Sequence, residues 1–285
     1  LIILVISVLY SGQVVMPMKE VAGSIAMISS GDFNETMQIT GYSEAEDISD
    51  KFNSMLSVLQ NLEDARQEFV SNVSHELKTP ITSVKVLAES LIGQENVPVE
   101  LYQEFMVDIN EELERMNKII NDLLTLVKMD KNASEVNISE VNINEFLEAI
   151  LKQLQPIADK RNIEMIFESV RSVTAQVDEV KLAMAFRNLI ENAIKYNYDN
   201  GWVRVSLNAD HKFFYLKVSD SGVGIPEELQ DSIFERFYRV DKARSRETGG
   251  NGLGLAITRN AILLHRGSIK VHSIEQQGTT FAVRI

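Results

Sequence analysis

Apolar residues recur at helical spacing through the first half of the chain. A short segment after Pro17 has this spacing and ends at Gly31-Asp32, a combination that terminates helices. From Ile48 to Leu62 the apolar positions step by four and three residues in alternation, which is the heptad pattern of a coiled coil. Two short helices with such seams cannot bury them alone. The pattern therefore predicts a parallel dimer in which four helices pack together.

The same period continues beyond these segments and predicts a long helical hairpin. It runs from Phe69 to Leu91, breaks over residues 93–98, and resumes from Phe105 to Leu126. Hairpins from two chains would form a second four-helix bundle, coaxial with the first. Residues 131–142 are polar and aperiodic, so we interpret them as a linker.

From Ile143 onward the pattern changes to helices that alternate with short strands, which indicates an α+β fold. One helix is predicted over residues 178–196. Strands are predicted over residues 163–167, 202–207, 213–218, 269–272 and 281–285.

The chain opens on an apolar run that extends to Tyr10 and continues more weakly to Met16. This run is just shorter than the roughly 17–25 residues that span a bilayer, so we interpret it as the end of a truncated transmembrane helix. A signal-peptide core and a buried soluble helix are the alternatives. A signal peptide requires a basic segment before its apolar core, and none precedes this run. Pro17-Met18-Lys19 resembles an exit from the membrane.

Composition excludes several classes of function. The chain has 41 acidic and 28 basic residues and a net charge of -13, so it repels phosphate backbones and nucleic acid is not an expected partner. It has no cysteine, which excludes disulfides, thiolate zinc sites and a cysteine nucleophile.

One of the four histidines, His75, lies on a helix whose apolar seam is carried by Val73 and Leu77, so it is expected to face solvent. A solvent-facing neutral imidazole can attack phosphorus when one ring nitrogen is free and the other is polarised. Glu76 can supply that polarisation, and Thr79, at i+4, shares the face of His75. The alternative is an exposed amphipathic helix with an incidental histidine-glutamate pair.

Pro80 follows this group. It cannot donate a hydrogen bond to the carbonyl of Glu76, so a bend is predicted one turn beyond the histidine.

Three polar residues share one face of the helix predicted over residues 178–196. Asn188, Asn192 and Lys195 are spaced i, i+4 and i+7. Amide oxygens are suitable ligands for Mg²⁺ and a lysine can meet phosphate charge, so this face is a candidate platform for a magnesium triphosphate. A solvated polar face is the common alternative.

Two glycine-containing stretches accompany that helix. Asp220 follows a strand, at the start of residues 220–225, and its carboxylate could accept a hydrogen bond from an adenine amino group. Residues 249–255 precede a helix whose amides could hold phosphates, although no Gly-Lys-Ser/Thr follows as in a Walker loop. The first stretch is alternatively an ordinary strand-ending turn.

The segment between the two stretches has the composition of a nucleotide lid. It contains two aromatic and four basic residues: Phe234, Phe237, Arg239, Lys242, Arg244 and Arg246.

These stretches resemble, in order, the sequence boxes of bacterial sensor histidine kinases. The matching residues are 75–80, 188–196, 220–225, 233–239, 250–255 and 278–281. The resemblance implies all-α dimeric four-helix bundles, including a hairpin for dimerisation and histidine phosphotransfer, followed by the ATP-binding α+β sandwich shared with gyrase-type ATPases. Residues 17–62 likewise resemble a HAMP signalling module, with matching residues at Pro17, Gly31-Asp32, Glu44 and Phe52-Asn53. Ala45 and Glu46 depart from that module, which usually has an apolar residue and glycine there.

The implied division is a membrane helix end at 1–16, a HAMP module at 17–62, the hairpin at 63–130, the linker at 131–142 and the ATP-binding domain at 143–285. By resemblance His75 is the phosphoacceptor, Glu76 its base, Asn192 the magnesium ligand and Asp220 the adenine-reading carboxylate. Arg239 approaches the γ-phosphate and Thr79 assists hydrolysis of the phosphorylated partner. The remaining implied nucleotide contacts are Asn188, Lys195, Tyr196, Gly222, Gly224, Gly250, Gly252, Leu253, Gly254 and Thr279.

The expected activity is autophosphorylation of His75 from Mg²⁺-ATP, transfer to an aspartate of a response regulator receiver domain, and dephosphorylation of that regulator. The resemblance implies a membrane-anchored homodimer whose residues after about 17 lie in the cytoplasm. The alternatives are an ATP-binding scaffold without turnover and an ATP-driven conformational machine. The intact His75-Glu76 pair argues against the scaffold. The hairpin before the nucleotide domain, and the lack of a basic DNA-binding surface, argue against the machine.

Overall fold

The computed structural model describes residues 43–93, 97–131, 136–240 and 250–285. The predicted membrane helix end, the first helix of the predicted HAMP module and the basic residues Lys242, Arg244 and Arg246 lie outside the described residues. Among the described helices, none has the length and apolar character needed to cross a bilayer.

Two long helices make up most of the described chain up to residue 131. Helix α1 is Ser43–Ile92 and helix α2 is Val99–Lys131, so the helices stop on either side of the predicted break. The chain divides into two compact units, residues 1–75 and residues 76–285. In the first unit, Phe52 and Leu56 of the heptad region are buried, whereas Leu62 is 66% exposed. Helix α1 continues through Pro80, and the bend expected there remains a prediction.

The second unit contains an α+β layer built on a five-stranded sheet. The strands are β2 (Glu164–Ser169), β4 (Trp202–Ala209), β5 (Phe214–Asp220), β6 (Ser268–Ile274) and β7 (Gly278–Arg284). Their order is β2-β4-β5-β7-β6, with β2 parallel to β4 and the remaining neighbours antiparallel. All five strands were predicted from the sequence, within three residues at their first position and two at their last.

Three helices cover one face of this sheet. They are α3 (Ile143–Asp159), α4 (Glu179–Lys195) and α5 (Gly254–Leu264). Alternate residues of β4 and β5 are buried, among them Val203, Val205 and Leu216, as expected for a sheet with one covered face. The α+β prediction is therefore confirmed.

A separate two-stranded sheet corrects the predicted linker. Strand β1 (Ser139–Asn142) pairs antiparallel with β3 (Thr174–Val177), and α2 extends to Lys131. The interpretation of residues 131–142 as a linker is thus wrong for residue 131, which ends α2, and for residues 139–142, which form β1. Val141 is the single large apolar residue of β1, and a four-residue strand with one apolar position has no readable alternation.

Helix α4 begins with a firm N-cap at Asp178, whose carboxylate accepts a hydrogen bond from the backbone N–H of Lys181 at 3.0 Å. The backbone N–H of Asp178 in turn donates to Nε2 of His265 at 2.8 Å. His265 ends helix α5, and its Nδ1 lies 2.7 Å from the carbonyl oxygen of Ala261. This histidine joins the start of α4 to the end of α5, a link between residues 87 positions apart that spacing does not reveal.

Helix α2 also packs on the α+β layer. Leu126 and Met129 are buried in the same hydrophobic core as α3, α4 and α5, and Leu123 packs against that core. This packing brings one face of the hairpin next to the candidate site.

Candidate nucleotide-binding site

A cavity of 520 Å³ lies between α4, α5, the end of β5 and helix α2. Most of the predicted nucleotide residues line it: Asn188, Asn192, Lys195, Tyr196, Asp220, Gly224, Arg239, Gly250, Gly252, Gly254 and Thr279. Gly222 and Leu253 of the predicted set do not line the cavity wall. The three stretches that spacing and composition singled out separately are therefore brought together by the fold.

Asp220 closes one part of the cavity at the end of β5 and is 7% exposed. Its Oδ1 accepts hydrogen bonds from the backbone N–H groups of Gly222 at 2.8 Å and Thr279 at 3.2 Å. Both bonds use Oδ1, and Oδ2 takes part in neither of them. Burial raises the pKa of Asp220 to about 6, against the lowering effect of these two bonds.

Gly222, whose backbone N–H donates to Asp220, packs closely against the backbone that follows α4. A Cβ at Gly222 would collide with the carbonyl oxygen of Tyr196 and come within 2.9 Å of the Cα of Asn197. The backbone N–H of Val223 also donates to the Tyr196 carbonyl oxygen at 3.0 Å. Glycine is needed here for close backbone approach, and the prediction that Gly222 lines the nucleotide stays a prediction.

The three residues of the predicted face of α4 all line the cavity, but their surroundings differ. Asn188 donates from Nδ2 to the hydroxyl of Thr258 at 2.9 Å, which ties α4 to α5. Asn192 is half-buried on the cavity wall. Burial, followed by the positive charge of Lys118, lowers the pKa of Lys195 to about 8.

Arg239 supplies a buried cation to the cavity. Its side chain is 9% exposed, and its Nη1 lies 3.9 Å from Oε2 of Glu76. Among the described residues, Nε and Nη2 are buried without a hydrogen-bond partner. Buried donors are normally satisfied, and an unsatisfied guanidinium is costly, so this geometry fits an anion held in the cavity.

The glycine-rich stretch leads into helix α5. Gly252 has a φ of +70°, and its carbonyl oxygen accepts a hydrogen bond from the backbone N–H of Phe237 at 2.9 Å. Leu253 is fully buried and anchors the stretch in the core, so only its backbone remains to serve a ligand. Helix α5 begins without a side-chain cap, which leaves its first N–H groups suited to phosphate oxygens.

The phosphoacceptor candidate lies on helix α1. His75 and Thr79 are exposed and Glu76 is half-buried, in agreement with the predicted solvent-facing side of the helix.

Helix α2 contributes cavity residues that the sequence reasoning missed. Lys118, Asp122 and Thr125 line the wall, and Asn251 donates from Nδ2 to Oδ2 of Asp122 at 2.6 Å. The signal was present, because these three residues have the same i, i+4, i+7 spacing that singled out the face of α4.

The donor set suits magnesium bound through a nucleotide. No group of three or more His, Cys, Asp or Glu residues with metal-ligand geometry occurs in the described residues. Mg²⁺ is often held by one protein oxygen together with phosphates and water, and Asn192 offers such an oxygen.

Two family descriptions match the chain. Residues 65–132 match the His Kinase A (phospho-acceptor) domain, and residues 177–285 match the histidine kinase-, DNA gyrase B- and HSP90-like ATPase. With the cavity and the fold, these matches define a phosphoacceptor hairpin joined to an ATPase-type domain. The chain belongs to the family of bacterial two-component sensor histidine kinases.

Among its relatives is the sensor protein kinase WalK. The protein from Staphylococcus epidermidis is 36% identical over 280 residues, which are 96% of this chain and 44% of that protein. A WalK from Staphylococcus aureus is 36% identical over 277 residues, 95% of this chain and 64% of the relative. The chain thus spans about half the length of most of the curated relatives it matches.

Solved structures share the fold. Full-length ShkA in complex with AMPPNP is 25% identical with a TM-score of 0.57, over 76% of this chain and 45% of that one. The Acinetobacter baumannii histidine kinase AdeS is 23% identical with a TM-score of 0.61, over 74% of this chain and 96% of that one. Histidine kinase ThkA in complex with the response regulator protein TrrA is 24% identical with a TM-score of 0.64, over 79% and 63%.

Proposed function

We propose that this chain transfers the γ-phosphoryl group of Mg²⁺-ATP to His75 and then to an aspartate of a response regulator, which it also dephosphorylates. The observation that carries the proposal is one cavity that contains a buried carboxylate, Asp220, and a buried guanidinium with two unpaired donors, Arg239. A nucleotide has complementary groups, an adenine amino donor and a phosphate chain. The ShkA structure with AMPPNP, a nucleotide analogue, supports this assignment.

The residues of the cavity position and neutralise the nucleotide. Oδ2 of Asp220 accepts a hydrogen bond from the adenine, the amide oxygen of Asn192 coordinates the metal, and Lys195 and Arg239 balance phosphate charge. When bound, Mg²⁺-ATP supplies the phosphoryl group, and the metal spreads the charge that develops during transfer. Catalysis then consists mainly of positioning and charge neutralisation.

The chemical step uses the exposed imidazole. One ring nitrogen of His75 forms a bond to the γ-phosphorus as the bond to the leaving ADP oxygen breaks. Glu76 takes up the proton of the other ring nitrogen, so that the product is a neutral phosphoramidate ring. The phosphoryl group then passes from this nitrogen to a carboxylate oxygen of the response regulator.

We further propose the architecture that surrounds this site. Residues 1–16 anchor the chain in the cell membrane, residues 17–62 form a HAMP module, and residues after about 17 lie in the cytoplasm. The hairpin pairs with that of a second copy. The heptad seam of α1 within the proposed HAMP module supports pairing with a second copy, because Ile48, Met55 and Leu62 are 41%, 49% and 66% exposed in one chain.

Radioactive labelling tests the function. The purified chain is incubated with γ-labelled ATP, and His75→Gln is compared with His272→Gln, an exposed histidine on β6. We expect label that is lost in acid and kept in base, present on the His272 variant and absent from the His75 variant. Nucleotide binding should be equal in all three proteins. Label on the His75 variant at the parental rate contradicts the assignment, and no label on the parent favours the scaffold alternative.

A further inference from the structure

Helix α2 presents a polar face to the nucleotide cavity. Lys118, Asp122 and Thr125 line the wall opposite the residues of α4. The neighbouring side chains Leu123 and Leu126 pack on the core of the α+β layer, so apolar contacts hold this face in place. The hairpin is therefore a wall of the cavity as well as the carrier of the phosphoacceptor.

Two residues of this face already form hydrogen bonds within the protein. The Oδ2 of Asp122 accepts from Asn251 at 2.6 Å, which joins α2 to the glycine-rich stretch. The hydroxyl of Thr125 donates to the carbonyl oxygen of Asn121 in its own helix at 2.8 Å. Neither group is a candidate donor for a ligand.

Lys118 differs from both. Its Nζ lies 3.8 Å from Oε1 of Glu191, an ion-pair distance longer than a hydrogen bond, and its side chain is 60% exposed. Its charge also acts on Lys195, whose pKa is lowered first by burial and next by Lys118. Glu191 lies one turn before Lys195 on α4, so Lys118 is at the end of the cavity that contains Lys195, and Arg239 lines the same cavity.

Charges at this end are loosely paired. Arg239 lies 3.9 Å from Glu76, and Lys118 lies 3.8 Å from Glu191, so each cation faces one carboxylate without a close hydrogen bond. A phosphate chain offers more charge and more acceptor oxygens than a single carboxylate. A flexible lysine stem lets the ammonium turn from Glu191 to such a ligand.

We propose that Lys118 of the hairpin binds the phosphate chain of the nucleotide, and so makes affinity depend on the number of phosphates. The inference rests on the proposed function, because it takes the cavity to be the ATP site. It extends that function by adding a phosphate contact from the helix that follows the phosphoacceptor helix. The bound nucleotide then adds a polar link between the hairpin and the ATP-binding domain, which already pack together through Leu123 and Leu126.

The test compares Lys118→Met with Lys128→Met in the full chain. Lys128 is exposed on the same helix and does not line the cavity, so its variant is a matched control for lost charge and for the substituted side chain. Calorimetric titrations measure the affinity of each protein for Mg²⁺-ATP, Mg²⁺-ADP and adenosine. We expect Lys118→Met to weaken ATP binding about fivefold, the upper range for an exposed charge pair, and ADP binding less. Adenosine binding should be unchanged, and Lys118→Arg should restore ATP binding.

Different outcomes separate this inference from the proposed function. Parental ATP affinity in Lys118→Met, or equal losses for ATP and adenosine, overturns the inference while the nucleotide site stands. An equal loss in Lys128→Met also overturns it, because the effect would then be general electrostatics. A parent chain that binds none of the three ligands overturns the proposed function and this inference with it.

Discussion

Replacement of Asp220 by asparagine should stabilise the ATP-binding domain and weaken its binding of nucleotide. Asparagine keeps the shape of the side chain and an oxygen that can accept from the backbone N–H groups of Gly222 and Thr279. It removes the buried charge. The second carboxylate oxygen, which we assign to the adenine, becomes an amide that cannot accept from an amino group.

The magnitude follows from the pKa of Asp220. Its value rises from 3.8 to about 6 on folding, mainly because burial disfavours the ionised form. A shift of about two units corresponds to about 3 kcal/mol at most. Between pH 4 and pH 6 the folded protein binds more protons than the unfolded chain, so this contribution to stability falls as pH rises. Above pH 6 the full cost is present in the parent and absent from Asp220→Asn.

The assay uses the only tryptophan of the chain, Trp202, which begins β4 in the ATP-binding domain. Urea unfolding followed by its fluorescence reports on that domain even when the helical parts unfold separately. We expect the free energy of unfolding of Asp220→Asn to exceed that of the parent by about 2–3 kcal/mol at pH 8 and by much less at pH 4.5. Saturating Mg²⁺-ATP should stabilise the parent and have little effect on the variant.

Two results would refute this reasoning. A difference between parent and variant that does not change from pH 4.5 to pH 8 would mean that the carboxyl group does not titrate in that window. Equal stabilisation of both proteins by Mg²⁺-ATP would mean that Asp220 does not recognise the adenine.

Two further predictions concern the proposed metal ligand Asn192 and the proposed role of Thr79 in dephosphorylation of the response regulator. Asn192→Ala removes the proposed metal-ligating oxygen, so titration with a fluorescent ATP analogue should show at least tenfold weaker binding with Mg²⁺ and a smaller change without it; a loss that is the same in both conditions would argue against coordination. Thr79→Ala removes a hydroxyl on the face of His75, which can orient water for attack on the phosphorylated regulator. Self-phosphorylation should then persist while dephosphorylation slows by about 10- to 100-fold in assays on one preparation; equal losses would indicate that Thr79 acts only through the geometry of the helix turn before Pro80.

Local patterns in the sequence account for much of the fold. The heptad steps and the break at residues 93–98 predicted α1 and α2, because amphipathic periodicity records which side of a helix must be covered. All five strands of the main sheet and helix α4 followed from the same kind of signal. The residues of the nucleotide cavity were found through chemistry at short spacing, as with Asn188, Asn192 and Lys195.

Features that depend on distant partners were not predictable in this way. Strand β1 exists because Val141 and its neighbours pair with β3, more than 30 residues later. A segment of four residues is too short for its periodicity to predict a strand. His265 contacts the Ala261 carbonyl within its own helix, but its second partner, the backbone N–H of Asp178, is reached only because α4 begins beside the end of α5.

The charge properties of the site belong to the tertiary structure alone. The sequence shows that Asp220, Arg239 and Lys118 are ionisable, but not that two of them are buried or that the third reaches the same cavity. Burial raises the pKa of Asp220 and leaves two donors of Arg239 unpaired, because both effects depend on how much water the packed helices exclude. Periodicity specifies which residues share a face of a helix, whereas long-range packing decides what that face meets.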